Sequence, residues 1–413
     1  MLFRSSGAKV GALWCQDWCG SRHTKFGSQV LWNWQASEEL YPDLPDFVAD
    51  LRRRGIRFLG YINPHLAVDT PLYRQASESG FLVRKPDGSD LVQTATYFGF
   101  GTVDLFNPEA FAWIKSIIRK NMIDTGMAGW MADFGEYLPV DAILYGNHDA
   151  LLAHNEYPVL WARANAEAIA EAGATGRVVS FHRSGWAGST AYAPAFWAGD
   201  QNVSWSLDDG LPSVVPAALS LGFSGAGIWH SDIGGYTTVA WLKRSRELLM
   251  RWVELAAFTP IMRSHEGNRP ESNAQLWSDP ETLAHLARMS AIWSGLAPYH
   301  EETIRAYVET GLPAIRHTWM HYEDEPELRD LPYQYLYGRD LLVAPVMQPG
   351  RDTGDAMLPN DRWVHLWTAR SFAGGPVSIE APSGYPPVFY RAESSWASLR
   401  SEEHTSELQS RQV

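Results

Sequence analysis

Cysteine is scarce in this sequence. Only Cys15 and Cys19 occur among its 413 residues. Two thiols cannot build the disulfide framework of a small secreted domain, and so low a cysteine content is typical of a reducing compartment. We therefore expect a cytoplasmic protein. A lone C-x3-C pair is a poor metal site, and the 13 histidines form no H-x-H pair, so we expect neither a metal nor an organic cofactor.

The sequence also has fewer positively than negatively charged residues. The chain has 34 Lys and Arg against 47 Asp and Glu, which gives a net charge of −13. Such a surface repels nucleic-acid phosphates and anionic lipid headgroups, so we expect neither nucleic acid nor a membrane as a partner. An anionic substrate would need a pocket that is locally positive or rich in hydrogen-bond donors.

Long apolar runs are nearly absent. The uncharged stretch 211–229 approaches the length of a membrane helix, but Pro212, Pro216 and three glycines interrupt it. This pattern predicts a helix followed by a buried strand. No secretory hydrophobic segment follows Met1. At the other end, residues 400–410 resemble the translation of a sequencing-library adapter, so we expect 400–413 to be a non-native tail.

Apolar segments that resemble strands alternate with amphipathic helical patterns over the first 300 residues, which predicts parallel strands in an α/β fold. The candidate strands are 9–15, 57–63, 128–132, 177–181, 195–198, 225–230 and 257–263. Several end in polar residues, as the strands of a (β/α)8 TIM barrel do at its functional face. We expect this barrel over 1–300, with a long loop excursion at 66–107. Short apolar runs separated by turns then predict a small C-terminal β-sandwich over 301–399.

Two aspartates at strand ends stand out. Asp133 follows the apolar segment 128–132, and Asp200 follows 195–198. Cleavage of a glycosidic bond needs two carboxyl groups, and in retaining enzymes these lie about 5–5.5 Å apart. An aspartate at a strand end can equally be the N-cap of the next helix. The 52 aromatic residues (19 Trp, 17 Tyr, 16 Phe) are consistent with a sugar site as well as with an aromatic core.

Further polar residues follow other candidate strands. They are Arg183, Asp232, Arg263 and His265. Carboxylates, arginine and histidine can bind the hydroxyls of a pyranose ring in pairs. Each also has a structural interpretation, namely a buried histidine for His265 and an ion-pair partner for Arg183.

Several motifs together resemble glycoside hydrolase family 31. The carrying segments are 130–136 (WMADFGE) and 197–202 (WAGDQN). The resemblance covers about 8–399 and implies that Asp133 is the nucleophile and Asp200 the general acid and base. It further implies that Asp232, Arg263 and His265 hold sugar hydroxyls in a site to which Arg183 and Trp197 also belong.

Within the family, the sequence is most similar to the sulfoquinovosidases, which release the 6-sulfonated sugar sulfoquinovose. The segments 12–18 (ALWCQDW), 30–34 (VLWNW) and 230–236 (HSDIGGY) carry this similarity. The resemblance implies that Gln16, Trp32 and Tyr236 face the sulfonate. One position departs from the pattern: Gln29 stands where an arginine is expected. A missing charged hydrogen bond costs about 1.5–3 kcal/mol. Either the preference for sulfonate is weakened, or another cation on the same loop, Arg22 or Lys25, replaces the arginine; of the two we favour Arg22.

Three alternatives remain open at this point. The first is an α-glucosidase or α-xylosidase of the same family, and the second is a metal-dependent barrel hydrolase. The third is a non-catalytic fragment, since family members carry an amino-terminal β-sandwich that this sequence lacks. We therefore expect the chain as written to be poorly soluble or weakly active. The expected partner is a small-molecule glycoside, and a homo-oligomer is compatible with the sequence.

Overall fold

The computed structural model describes residues 2–25, 27–95 and 97–396. The tail predicted at 400–413 lies outside the described residues. The described part of the chain divides into two compact units, one within 10–197 and the other formed by 198–396 together with 2–9.

The unit 10–197 is built on a parallel sheet whose strands are adjacent in chain order. Its strands are Ala12–Trp14, Arg57–Ile62, Gly129–Ala132, Val179–His182 and Ala195–Trp197. Each pairs in parallel with the next, as right-handed crossovers of a barrel require. All five lie within or next to the segments predicted from apolar runs.

Helices connect these strands. They are Leu44–Arg53, Pro71–Glu78, Pro108–Ile118 and Ala150–Glu171, with a π-helical turn at Arg119–Ile123. The start of Pro108–Ile118 shows why they begin where they do: Asn107 Oδ1 accepts the backbone N–H of Glu109 at 2.9 Å, and a proline occupies the first turn.

The predicted excursion at 66–107 is more regular than the sequence suggested. It contains the helix Pro71–Glu78, which the weak apolar period did not reveal. Around it lies an antiparallel sheet in the order His65–Ala67, Phe98–Thr102, Val92–Ala95. A separate hairpin pairs Ser21–Thr24 with Gly27–Val30.

The second unit begins with the remaining barrel elements. Its helices are Leu2–Ser5, Val214–Phe223, Arg246–Ala256, Pro280–Gly295 and Ala297–Thr310, and its short strands are Trp229–His230, Asp232–Ile233 and Arg263–Ser264. The helix and buried strand predicted within 211–229 are confirmed. The strand predicted at 257–263 is wrong except at its end, because Ala257 caps a helix and Thr259 turns the chain by donating to the carbonyl of Ala256.

The C-terminal strands form two antiparallel sheets. The larger has the order Ile315–Arg316, Tyr335–Tyr337, Leu341–Val343, Val388–Arg391, Trp363–His365, Ser371–Phe372, and the smaller pairs Thr353–Leu358 with Gly375–Glu380. Leu336, Trp363 and Phe389 of the larger sheet share a buried core with Leu358 and Ile379 of the smaller. This is the packing of a sandwich. The helix Ala297–Thr310 occupies the first part of 301–399, the range predicted for the sandwich.

Two paired, buried side chains of the helix Arg246–Ala256 bind it to the C-terminal segment through hydrogen bonds. Arg251 Nη1 lies 3.0 Å from Glu254 Oε2, and both side chains are 2% exposed. Arg251 also donates to the carbonyls of Arg351 and Ala381, and Glu254 accepts the backbone N–H of Gly384. Among the described residues, no helix is long and apolar enough to cross a membrane.

Candidate active site

Asp133 follows the fully buried strand Gly129–Ala132 and is 7% exposed. Its Oδ2 accepts the hydroxyl of Tyr61 at 2.6 Å, and its Oδ1 accepts the backbone N–H of Phe134 at 2.8 Å. Arg183 Nη1 lies 3.1 Å from Oδ1. Donors on both oxygens therefore fix the orientation of this carboxylate.

The backbone turns sharply after Asp133. Phe134 has a φ of 58°, a left-handed conformation that costs a non-glycine residue about 1–3 kcal/mol. Its ring lies 4.2 Å from the guanidinium carbon of Arg183, which also donates to Glu136 Oε1 at 2.6 Å. Arg183 thus holds the ion pairs that its structural interpretation predicted, with two carboxylates.

Trp32 lies in an aromatic cluster and is 6% exposed. Its ring centroid is 5.0 Å from those of Phe98 and Phe100, 5.2 Å from that of Phe134 and 5.4 Å from that of His65. Burial lowers the pKa of His65 to about 3, so this imidazole is neutral near pH 7. The cluster therefore connects Trp32 to the residue beside Asp133 through apolar contacts.

Gln29 lies directly across the hairpin from Arg22 in the strand register. Arg22 forms a bidentate pair with Asp69, at 3.1 and 3.0 Å, and lies over the ring of Phe98 at 4.4 Å. Its charge is therefore already partly neutralised. Gln16 opens the 3-10 turn Gln16–Cys19 and is half-buried.

Trp197 ends the last parallel strand of its unit and is 2% exposed. Its indole N–H is buried and has no hydrogen-bond partner among the residues that the structure describes. A buried donor without a partner costs free energy. Trp197 is thus suited to donate to a bound molecule.

In the second unit, Asp232 and Arg263 are opposite each other in the parallel pair of two-residue strands. Their side chains form an ion pair, 1% and 8% exposed. Arg263 Nε also donates to His230 Nε2 at 3.0 Å. Strand register therefore brings together two of the predicted sugar-binding residues.

His265 is buried and contacts the ring of Tyr236 at 4.8 Å between centroids. Its Nδ1 accepts the backbone N–H of Gly267 at 2.9 Å. Burial, with the nearby charges of Arg263 and Arg244, holds the pKa of His265 well below its ordinary value. The ring is thus neutral with its proton on Nε2, which makes Nε2–H a donor.

Asp200 lies on a loop that hydrogen bonds attach to the loop of Tyr236. Thr237 Oγ1 donates to the carbonyl oxygen of Asp200 at 2.7 Å, and the backbone N–H of Tyr236 donates to the carbonyl oxygen of Gln201 at 2.8 Å. Asp200 itself is exposed. Within the described residues, no group of three or more His, Cys, Asp or Glu side chains could hold a metal ion.

Comparison with known proteins decides the family. Residues 3–300 match the TIM-barrel domain of glycosyl hydrolases family 31, and residues 311–394 match the C-terminal domain of that family. The chain belongs to glycoside hydrolase family 31. The predicted fold, a (β/α)8 TIM barrel followed by a small C-terminal β domain, is confirmed.

Its relatives within family 31 include two sulfoquinovosidases. The one from Escherichia coli (strain K12) is 52% identical over 96% of this chain and 58% of its own length. The one from Agrobacterium fabrum (strain C58) is 48% identical over 95% of this chain and 60% of its own. A solved family 31 sulfoquinovosidase from E. rectale, in complex with an aza-sugar inhibitor, superposes with a TM-score of 0.97 at 46% identity, covering 98% of this chain and 61% of that one. The chain spans about three-fifths of the length of these relatives.

The sequence analysis missed two residues that contact predicted site residues, one in each unit. Tyr61 lies inside a strand, where the pattern gives only an aromatic residue of a core. Arg244 is 3% exposed and donates to the carbonyls of Gly235, His265, Glu266 and Ala274 and to Gln275 Oε1. The other candidates were predicted because they are polar residues at the ends of apolar segments. Neither Tyr61 nor Arg244 follows such a segment.

Proposed function

We propose that this chain is the catalytic part of a retaining exo-α-glycosidase that hydrolyses α-sulfoquinovosides by double displacement. The observation that carries the proposal is the identity of 52% and 48% to two sulfoquinovosidases over almost the whole chain. The low cysteine content supports a cytoplasmic location, and a homo-oligomer stays a prediction.

In the first step, Asp200 protonates the glycosidic oxygen and Asp133 attacks the anomeric carbon. The C–O bond to the aglycone breaks as the bond to an Asp133 oxygen forms, which gives a β-linked glycosyl ester. The donors around Asp133 support this role, because they hold its carboxylate in one orientation. An apolar environment would help to keep a general acid protonated, whereas Asp200 is exposed.

In the second step, Asp200 takes a proton from water, whose oxygen attacks the anomeric carbon. The ester bond breaks, its electron pair returns to Asp133, and the sugar leaves with its α configuration retained. Asp232, Arg263 and His265 are proposed to hold the sugar hydroxyls. For His265 this means donation from Nε2–H.

The sulfonate is proposed to bind to neutral donors, namely the Gln16 amide, the Trp32 indole and the Tyr236 hydroxyl. Gln29 replaces the expected arginine, and its position across the hairpin from Arg22 supports Arg22 as the compensating cation. Asp69 competes for that cation. We therefore expect Asp69→Asn to strengthen the preference for a sulfonated sugar and Arg22→Met to weaken it.

The deciding experiment compares para-nitrophenyl α-sulfoquinovoside with para-nitrophenyl α-glucoside. We expect the sulfonated substrate to be strongly preferred, Asp133→Ala to abolish turnover, and Asp200→Ala to slow turnover most for poor leaving groups. Near-normal rates in both variants would refute the catalytic assignment. A covalent trap that fails to label Asp133 would favour a non-catalytic fragment.

An α-glucosidase or α-xylosidase is the second candidate, and Gln29 is the observation that favours it. An α-xylosidase and a neutral α-glucosidase are among the relatives, at 27% and 28% identity. Equal rates on the two substrates, or a preference for glucoside, would support it. Gln29→Arg should then shift the preference toward the sulfonated sugar.

A further inference from the structure

A buried chain of hydrogen bonds ends at the carboxylate of Asp133. The backbone N–H of His65 donates to Asn63 Oδ1 at 2.9 Å, and Asn63 Nδ2 donates to the Tyr61 hydroxyl oxygen at 3.1 Å. The Tyr61 hydroxyl lies 2.6 Å from Asp133 Oδ2. Asn63 is 0% exposed and Tyr61 is 4% exposed, so water does not compete for these bonds.

The direction of this chain is fixed from its far end. A backbone N–H can only donate, so Asn63 must present Oδ1 to His65 and its NH₂ group to Tyr61. The hydroxyl oxygen of Tyr61 accepts that bond and its proton points to Asp133. Burial and the charge of Asp133 raise the pKa of Tyr61 well above its ordinary value, so the hydroxyl stays protonated.

The two oxygens of Asp133 are not equivalent. Oδ1 faces the N–H of Phe134 and the guanidinium of Arg183, whereas Oδ2 has Tyr61 as its one hydrogen-bond donor among the described residues. A carboxylate oxygen has two lone pairs in its plane. Oδ2 therefore keeps a lone pair for a further bond, which makes it the attacking atom.

We propose that Tyr61 is a positioning residue that holds Oδ2, the attacking oxygen of Asp133, in place and speeds hydrolysis of the glycosyl ester. This inference rests on the proposed role of Asp133 as nucleophile. As the ester forms, the bond between Oδ2 and the anomeric carbon removes charge from Oδ2, and the hydrogen bond from Tyr61 weakens. As water displaces the ester, the electron pair returns to Oδ2, and the hydrogen bond strengthens in the transition state.

Removal of the hydroxyl should therefore slow the second step far more than the first. A hydrogen bond to a charged group corresponds to about 10- to 150-fold in rate. For Tyr61→Phe with para-nitrophenyl α-sulfoquinovoside, we expect kcat and KM to fall together by at least about tenfold, with kcat/KM nearly unchanged. A burst of nitrophenolate should precede the steady state, and rapid quenching followed by mass spectrometry should find the glycosyl ester on Asp133.

The matched control is Tyr157→Phe. Tyr157 is also fully buried in the same unit, but its hydroxyl donates to the carbonyl of Val103 at 2.7 Å. We expect no burst from this variant. Methanol, as an alternative acceptor, should raise the turnover of Tyr61→Phe and leave that of Tyr157→Phe unchanged, because only the former is limited by ester hydrolysis.

Equal losses in kcat and kcat/KM without a burst would overturn the proposal, as would kinetics of Tyr61→Phe that match Tyr157→Phe. If Tyr61→Phe does not fold, Asn63→Ala replaces it, since this change keeps Tyr61 but removes the bond that aims its proton. A smaller burst is then expected, and its absence counts against the proposal. Failure of the proposed function is distinct, because the unmodified chain would then release no nitrophenolate.

Discussion

Arg244 offers a direct test of how the second unit holds its candidate sugar-binding residues. Its guanidinium donates to five acceptors, four of them backbone carbonyls on the loops that carry Tyr236 and His265. Arg244→Met keeps most of the side-chain volume and removes every one of these bonds.

The stability lost in Arg244→Met is the balance of two opposing contributions. Each buried acceptor left without a donor costs about 1–3 kcal/mol, less where water or a local shift satisfies it. Against this, burial lowers the pKa of Arg244 to about 10, so the folded state already bears a desolvation cost of about 3 kcal/mol that the variant does not. We expect a net destabilisation of about 3–5 kcal/mol, the range for breaking a buried charged network.

Hydrogen exchange measured by mass spectrometry is the appropriate assay, because a chain of this length need not unfold in one step. Arg244→Met should lose protection over the segment that holds Gly267 and Asn268. Arg246→Met is the control: its side chain is 53% exposed and pairs with the exposed Glu281, so it should cost less than about 1 kcal/mol. Equal protection in the two variants would refute the reasoning.

Three further predictions concern stability and the turn after Asp133. Arg251→Met leaves Glu254 buried without its cation and should lower the free energy of unfolding by about 3–5 kcal/mol. Hydrogen exchange should show this as lost protection at 381–384. Arg351→Met is the control and should cost little stability, because the Arg351 side chain is exposed. Gly135→Ala should lower activity more than Gly173→Ala: both have positive φ, but only at Gly135 would the new Cβ meet Ser184 Oγ at 2.5 Å. Burial lowers the pKa of His182 to about 3 and that of His285 to about 4, so below pH 6.5 these residues take up protons in the unfolded chain before they do in the folded one. Each histidine should therefore lower the free energy of unfolding by about 2 kcal/mol by pH 5. The Tm should fall when it is measured from pH 7.5 to 5, and it should fall less in His182→Phe.

The strands of the first unit could be predicted because a parallel strand covered on both faces is a nearly continuous apolar run. Gly129–Ala132 is buried at every position, and the polar residue that follows it marks where the strand ends. The same signal located Asp133 and Asp200. It could not locate the helix Pro71–Glu78, whose buried positions are only Leu72 and Ala76.

Residues that act through distant partners gave no local pattern. Tyr61 and Asp133 are 72 positions apart, and Arg244 reaches its acceptors across 9 to 31 positions. Such contacts depend on which strands are neighbours and on their register. A single sequence without aligned relatives contains neither, so both residues could be found only in the folded chain.

The arginines near the predicted site bear directly on how the proposed sulfonated substrate is recognised. The arginines among the predicted site residues are already paired: Arg183 with Asp133 and Glu136, and Arg263 with Asp232. Arg22 is paired with Asp69. A net charge of −13 makes such pairing easy and leaves little cationic attraction for a sulfonate. Discrimination between a sulfonated and a neutral sugar must then depend mainly on the neutral donors proposed above, Gln16, Trp32 and Tyr236. Arg22 adds only the part of its charge that Asp69 leaves unneutralised. It follows that raising the salt concentration should weaken the preference for the sulfonated substrate only slightly, whereas a preference carried by an unpaired arginine would fall steeply.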